Sequence, residues 1–166
     1  ELGNKNGIAI WLGNIGTVYS DQADYPKVHP VERDSLLNRA LDYYFKALKM
    51  DEELGDKNAL PAGRQGIAIW LGNIGLVYSD QADYPKALDY YLAALKMAEE
   101  LGNKNSVAAI LGNIGIVYSD QADYPKALDY YFKALKMDEE LGNKNGIARH
   151  LGNIGSLYTK TGKFKE

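Results

Sequence analysis

The chain has 166 residues, 46% of them hydrophobic, and its 19 basic and 22 acidic side chains leave a formal charge of -3, a composition that can bury a core but lacks the basic stripe of a nucleic-acid binder. No apolar run approaches the roughly 20 residues that cross a bilayer, and no charged-then-apolar leader opens the chain. Having no cysteine excludes disulfides, thiolate metal sites and cysteine nucleophiles, and leaves a cytoplasmic location as the default.

The tetrapeptide Gly-Asn-Ile-Gly starts at Gly13, Gly72, Gly112 and Gly152, at intervals of 59, 40 and 40 residues, so the chain is a tandem repeat with a period of 40. Residues 1–6 (ELGNKN) match the ends of later units and are expected to be the tail of a preceding helix, which makes the chain a piece of something longer. Repeat 1 covers residues 7–58 and carries an insert, Val28 to Arg39, of 12 residues; a second insert of 7, Ala59 to Gln65, precedes repeat 2. Removing both restores the period. The first insert holds Pro30 followed by residues that can run helically into Ala40 and Tyr44, predicting a first B helix that starts near Val31 after a nonhelical link, with Leu36 or Leu37 free to meet a neighbouring chain. The alternative is a bulged loop with the helix starting near Asn38. Pro61 and Gly63 make the second insert an expected mobile surface loop.

Repeats 2 (66–105) and 3 (106–145) show the unit uninterrupted. Apolar Val107, Ile110, Leu111, Ile114, Val117 and Tyr118 recur at spacings of three and four, predicting an A helix from about Ser106 to Ser119 capped by Asn105. A polar turn follows. Asp123 then precedes Tyr124 and Pro125, a cap and first turn for a B helix whose apolar stripe is Ala127, Leu128, Tyr131, Ala134 and Leu135. Gly142 suits the left-handed residue that stops it, and Asn143 to Asn145 form a polar link. Residues 146–166 form a partial repeat in which Arg149, His150 and Ser156 replace apolar residues, as suits a cap. Short links make neighbouring helices antiparallel, and neither helix can bury its stripe alone, so the expected fold is all-α: tandem helix hairpins stacked as an α-solenoid.

The series Leu111, Gly115, Tyr118, Tyr124, Ala127, Tyr131 and Ala134, repeated at Leu71, Gly75, Tyr78, Tyr84, Ala87, Tyr91 and Ala94, resembles the tetratricopeptide signature of large, small and aromatic residues. The longer unit is similar to those of kinesin light chains, Leu-Gly-Asn-rich spindle-orientation adaptors and bacterial peptide-sensing regulators. Leu111-Gly112-Asn113 lies three residues earlier along the helix than the tripeptide of those adaptors.

At about 100° per residue, Leu111, Ile114, Gly115 and Tyr118 fall on the side of the A helix that meets the B helix. Gly112, Asn113, Ile116 and Asp120 fall opposite, on what the resemblance implies is a concave binding face. Asn14, Asn73, Asn113 and Asn153 then form a ladder of amides that can donate to and accept from an extended backbone, the role such asparagines have in the kinesin light chain and peptide-sensor relatives. Gly72 and Gly112 would leave room for a close main chain, Leu76 and Ile116 supply apolar surface, and Asp80 and Asp120 supply negative charge. With lysine and arginine nearly absent from this face, a clamp for an acidic C-terminus is excluded. A neutral or basic extended peptide or protein segment is the expected partner.

Nothing points to catalysis, cofactor or metal. His29 and His150 lack partners at ligand or triad spacing and read as surface residues. Glu52/Glu53, Glu99/Glu100 and Glu139/Glu140 recur in every unit as a solvated helix face. The competing readings are a regulatory module of a larger signalling protein, and a fragment that self-associates through its open ends or the 28–39 insert.

Overall fold

The computed structural model describes residues 2–58 and 61–162. Among them are seven helices and no strand: α1 (Leu2–Ala23), α2 (Pro30–Asn58), α3 (Pro61–Asp80), α4 (Tyr84–Glu100), α5 (Lys104–Asp120), α6 (Tyr124–Leu141) and α7 (Lys144–Thr161). None is long and apolar enough to cross a membrane. The chain divides into two compact units, residues 1–97 and 98–166.

In the second unit the local signals act much as the sequence suggests. Asp123 caps α6 by accepting from the Lys126 amide, Pro125 sits in the first turn, and Gly142 closes the helix at φ 67°. The A-helix caps fall two residues early, however. Asn103 and Asn143, not Asn105, accept from the amides of Ser106 and Gly146 at 3.1 and 3.2 Å. The residue directly after the left-handed glycine is the first whose side chain can reach back over the new helix, so Lys144 and Asn145 are helical and the polar link shrinks to a single cap.

Each unit is built on the same contact between an A helix and its B helix. Ile74, Val77 and Tyr44 belong to the core of the first unit, and Tyr131, Leu135, Ile154 and Leu157 to that of the second. The second glycine of Gly-Asn-Ile-Gly lets a tyrosine ring lie on the helix backbone: a Cβ on Gly75 would stand 2.8 Å from Tyr91 Cδ1, and one on Gly115 2.6 Å from Tyr131 Cδ1. Any side chain there must push the ring away, and overpacking of this kind typically costs about 1–3 kcal/mol.

The first unit departs from expectation in three places and meets it in a fourth. Residues 2–6 are the opening of α1 itself and not the tail of another helix. Likewise α2 runs straight through Gly55 to Asn58. Glycine accepts helical dihedrals at about 0.5–1 kcal/mol relative to alanine, and with seven extra residues ahead the chain need not reverse there as it does at Gly102 and Gly142. Pro61 to Gln65, expected as loop, form the first turns of α3, where a proline at the start removes no helical hydrogen bond; Ala59 and Leu60 lie outside the described residues. Finally, the 28–39 insert is helical from Pro30, so the extended B helix and not the bulged loop is found.

Leu37 is fully buried in the unit's own core and Leu36 packs against it, so the insert's leucines are not available to a neighbouring chain. Burial is stronger than the sequence suggests because the insert lengthens α2 past the end of α3. There Arg33 Nη1 donates to the Asp80 carbonyl at 2.9 Å, and Gln81 donates to Asn38 at 3.1 Å.

Candidate functional site

In the first unit α1 and α3 lie side by side and leave between them a pocket of about 430 Å³. Asn6, Ile10, Asn14 and Thr17 line it from α1, one residue per turn, and Gln65, Ile69 and Asn73 line it from α3. Ile10 and Ile69 are exposed to it, at 48% and 46%. Thus Asn14 and Asn73, predicted to face a groove, are brought together. No hydrogen bond among the described residues engages the side chains of Asn14 or Asn73 within their unit, or of Asn113 or Asn153 within theirs. Asn14 is exposed, and the other three are half-buried.

The remaining predicted residues divide. Leu76 and Ile116 are exposed at 43% and 39%. A Cβ on Gly72 would meet nothing within 4 Å, so this glycine leaves open space beside Asn73. Gly112 does not. It is buried beneath the imidazole of His150, and Gly13 lies in the same way beneath the Trp70 ring. The first glycine of the tetrapeptide, where it is covered, makes room for the next A helix and not for a ligand.

Asp120 is exposed, while Asp80 is half-buried. Burial and the nearby Asp24 push the Asp80 carboxyl up to about 6, against the pull of Arg33. The negative wall is therefore weaker at Asp80 than expected, and an arginine of the insert stands beside it.

Sequence reasoning missed two buried polar pairs. His150, expected at the surface, is 0% exposed, and its Nε2 stands 3.1 Å from Asp138 Oδ2. Desolvation and Arg149 lower its pKa, with Asp138 opposing, which favours the neutral ring. In the first unit Trp70 Nε1 donates to Asp51 Oδ2 at 2.7 Å, and Asp51 is 1% exposed. Burial raises the Asp51 pKa and the Trp70 bond partly offsets it.

The signal for both lies in comparing units. Where the A helix carries Trp70 or His150, the preceding B helix carries Asp51 or Asp138; where it carries Ile110, that position is Ala98. A polar ring comes with a carboxylate and an apolar side chain with alanine; the Trp70 indole is hydrogen-bonded to its carboxylate, whereas His150 Nε2 and Asp138 Oδ2 stand close without a hydrogen bond. Asp51 and Trp70 both line the pocket.

Among the described residues no group of three or more His, Asp or Glu side chains could hold a metal ion. The aromatic face of the B helices is occupied differently: Lys86 lies 4.9 Å from the Tyr78 ring and Lys126 5.0 Å from the Tyr118 ring, each lysine also paired with the cap aspartate of its helix. These pairs knit a helix start to the preceding helix.

No sequence among curated proteins matches the chain. Solved structures do. The crystal structure of aspartyl phosphate phosphatase F from Bacillus subtilis superposes with a TM-score of 0.81 at 18% identity, over 96% of this chain and 37% of that one. The apo form of RapI gives 0.77 at 18% identity, over 96% and 39%. BtubC (BKLC) from P. vanneervenii gives 0.65 at 22% identity, over 90% and 57%. At these identities the likeness is one of fold, and the chain spans well under half the length of the first two. A family model described as tetratricopeptide repeat matches residues 66–140 and 106–166, and with the recurring glycine–tyrosine contacts and helix hairpins it places this chain in the tetratricopeptide repeat family.

Proposed function

We propose that this protein is a non-catalytic scaffold that holds an extended peptide or protein segment against the A helices, with asparagine side chains bonding its main chain. One observation carries the reading: Asn14 and Asn73 turn unengaged amides toward a single pocket that also exposes Ile10 and Ile69. An amide that neither donates nor accepts among the described residues of its unit is available to a backbone that needs both, and exposed isoleucines beside it offer burial to alternate side chains. Asn113 and Asn153, with Ile116 and Asp120, extend the same surface chemistry to the second unit. Because no lysine or arginine among the described residues lines the pocket, a neutral or basic segment is the partner of choice.

The test is a peptide array probed with wild-type chain and with Asn73→Ala combined with Asn113→Ala. Each lost bond to a peptide backbone is worth about 0.5–1.5 kcal/mol, so the variant binds selected peptides more weakly while its thermal stability stays within about 0.5 kcal/mol of wild type. Loss of stability with unchanged binding would show the asparagines to be structural.

A further inference from the structure

One side of α1 carries an open apolar row. Ile8, Trp11, Ile15 and Val18 recur at helical spacing along it, exposed at 39%, 71%, 39% and 55%, and none of them lines the pocket. In the repeat they stand level with Ile67, Trp70, Ile74 and Val77 of α3 and with Ile147, His150, Ile154 and Leu157 of α7. There the last three of each row are buried, and a B helix covers them. In the first unit Leu48 of α2 shares a core with Trp70, Ile74 and Val77, and Asp51 receives the Trp70 indole N–H. In the second, Leu135 of α6 shares a core with Ile154 and Leu157, and Asp138 stands beside His150. The covering segment is the same octapeptide both times, Ala-Leu-Lys-Met-Asp-Glu-Glu-Leu at 47–54 and 134–141.

The molecule thus shows twice what fits this row, and Trp11 adds a chemical requirement. A tryptophan N–H that becomes buried needs an acceptor, and Trp70 at the equivalent place finds one in Asp51 at 2.7 Å. Both octapeptides of this chain already face α3 or α7, so neither is free to turn to α1. A lipid surface is a poor match, because helices that lie on membranes are rich in Lys and Arg, whereas α1 has Lys5 alone. We propose that this side of α1 docks a partner protein's amphipathic helix of the B type, its alanine and leucine seam covering Ile8, Ile15 and Val18 and its aspartate accepting the Trp11 indole N–H. The surface is separate from the asparagine groove, and the proposal does not rest on that reading.

The experiment uses the full chain labelled with 15N and two blocked, fluorescently tagged peptides: one with the sequence of residues 124–143, and its counterpart carrying Asp138→Ala. The Trp11 indole N–H is the reporter, and Trp11→Ile, a change at an exposed position, assigns it by removing it. The aspartate peptide shifts this signal, leaves the Trp70 indole unmoved, and binds at least about tenfold more tightly than the alanine one, as a hydrogen bond to a charged group requires. Helix propensity works against that order, since alanine is the better helix former. On the Trp11→Ile chain the order reverses, because the aspartate then meets no donor and alanine faces isoleucine. An unmoved Trp11 indole at millimolar peptide overturns the docking surface, and equal affinities on the wild-type chain, or an order that persists in Trp11→Ile, overturn the aspartate's role. A Trp11 signal that shifts with protein concentration in the absence of peptide puts a second copy of the chain on this face and overturns the proposal as well.

Discussion

Gly72 and Gly112 occupy the same place in the repeat and have opposite surroundings. A methyl at Gly72 meets open space, so Gly72→Ala gains helix propensity and raises stability by about 0.5–1 kcal/mol. At Gly112 the methyl runs into the His150 ring, and Gly112→Ala lowers stability by about 1–3 kcal/mol. Urea denaturation of the two variants checks the contrast; equal shifts would mean that His150 does not cover Gly112. Identical letters could not reveal this, because what covers a glycine is set by the next unit. His150 was illegible for a related reason. Its partner Asp138 stands on the preceding helix, inside an acidic run whose other members, Glu139 and Glu140, are exposed. Asp80 gives a pH prediction. Its folded carboxyl is raised to about 6 from 3.8, so the native state holds the proton more tightly than the unfolded one, and stability is lost as pH rises through that window. Asp80→Asn is therefore more stable than wild type at pH 7.5 and gains nothing at pH 3.5; denaturation midpoints at the two pH values decide.

Among the elements, the A and B helices could be read from periodicity and from Asp123 and Gly142, and so could the helix that follows Pro30 in the first insert, while the second insert and the caps at Asn103 and Asn143 needed the structure. Pro61 read as part of a loop, yet it begins a helix, since a proline in the first turn costs no hydrogen bond. Leu37, fully buried, ties the extended start of α2 to the core, so amides 34–38 should exchange slowly at every protein concentration. Fast exchange, or protection that grows with concentration, would contradict this packing. The contact of α2 with α3 depends on the Asp51–Trp70 pair. Trp70→Ile leaves a buried carboxylate without a donor and costs about 3–5 kcal/mol. Combining it with Asp51→Ala recreates the combination of Ala98 in repeat 2 with Ile110 in repeat 3, and the double variant is expected to be more stable than Trp70→Ile alone. A double-mutant cycle measures the coupling, and strict additivity would refute the pairing.

At the scale of the whole molecule, the period of 40 was sufficient to give the all-α hairpin architecture, because only stacking can bury the paired stripes. The binding face was legible only in part: the asparagines and isoleucines could be placed by helical phase, whereas Asp51 could not, since it lies on a B helix and reaches the pocket from below. The account's central claim is that ligands bind along the A helices. The most direct measurement is a map of amide and side-chain shifts in the 15N-labelled chain on adding a peptide selected from an array. The account predicts that in the first unit the perturbed signals centre on Ile10, Asn14, Ile69, Asn73 and the Trp70 indole. Shifts confined instead to the B-helix face around Tyr78, Lys86 and Tyr90, with the asparagines unmoved, would contradict it.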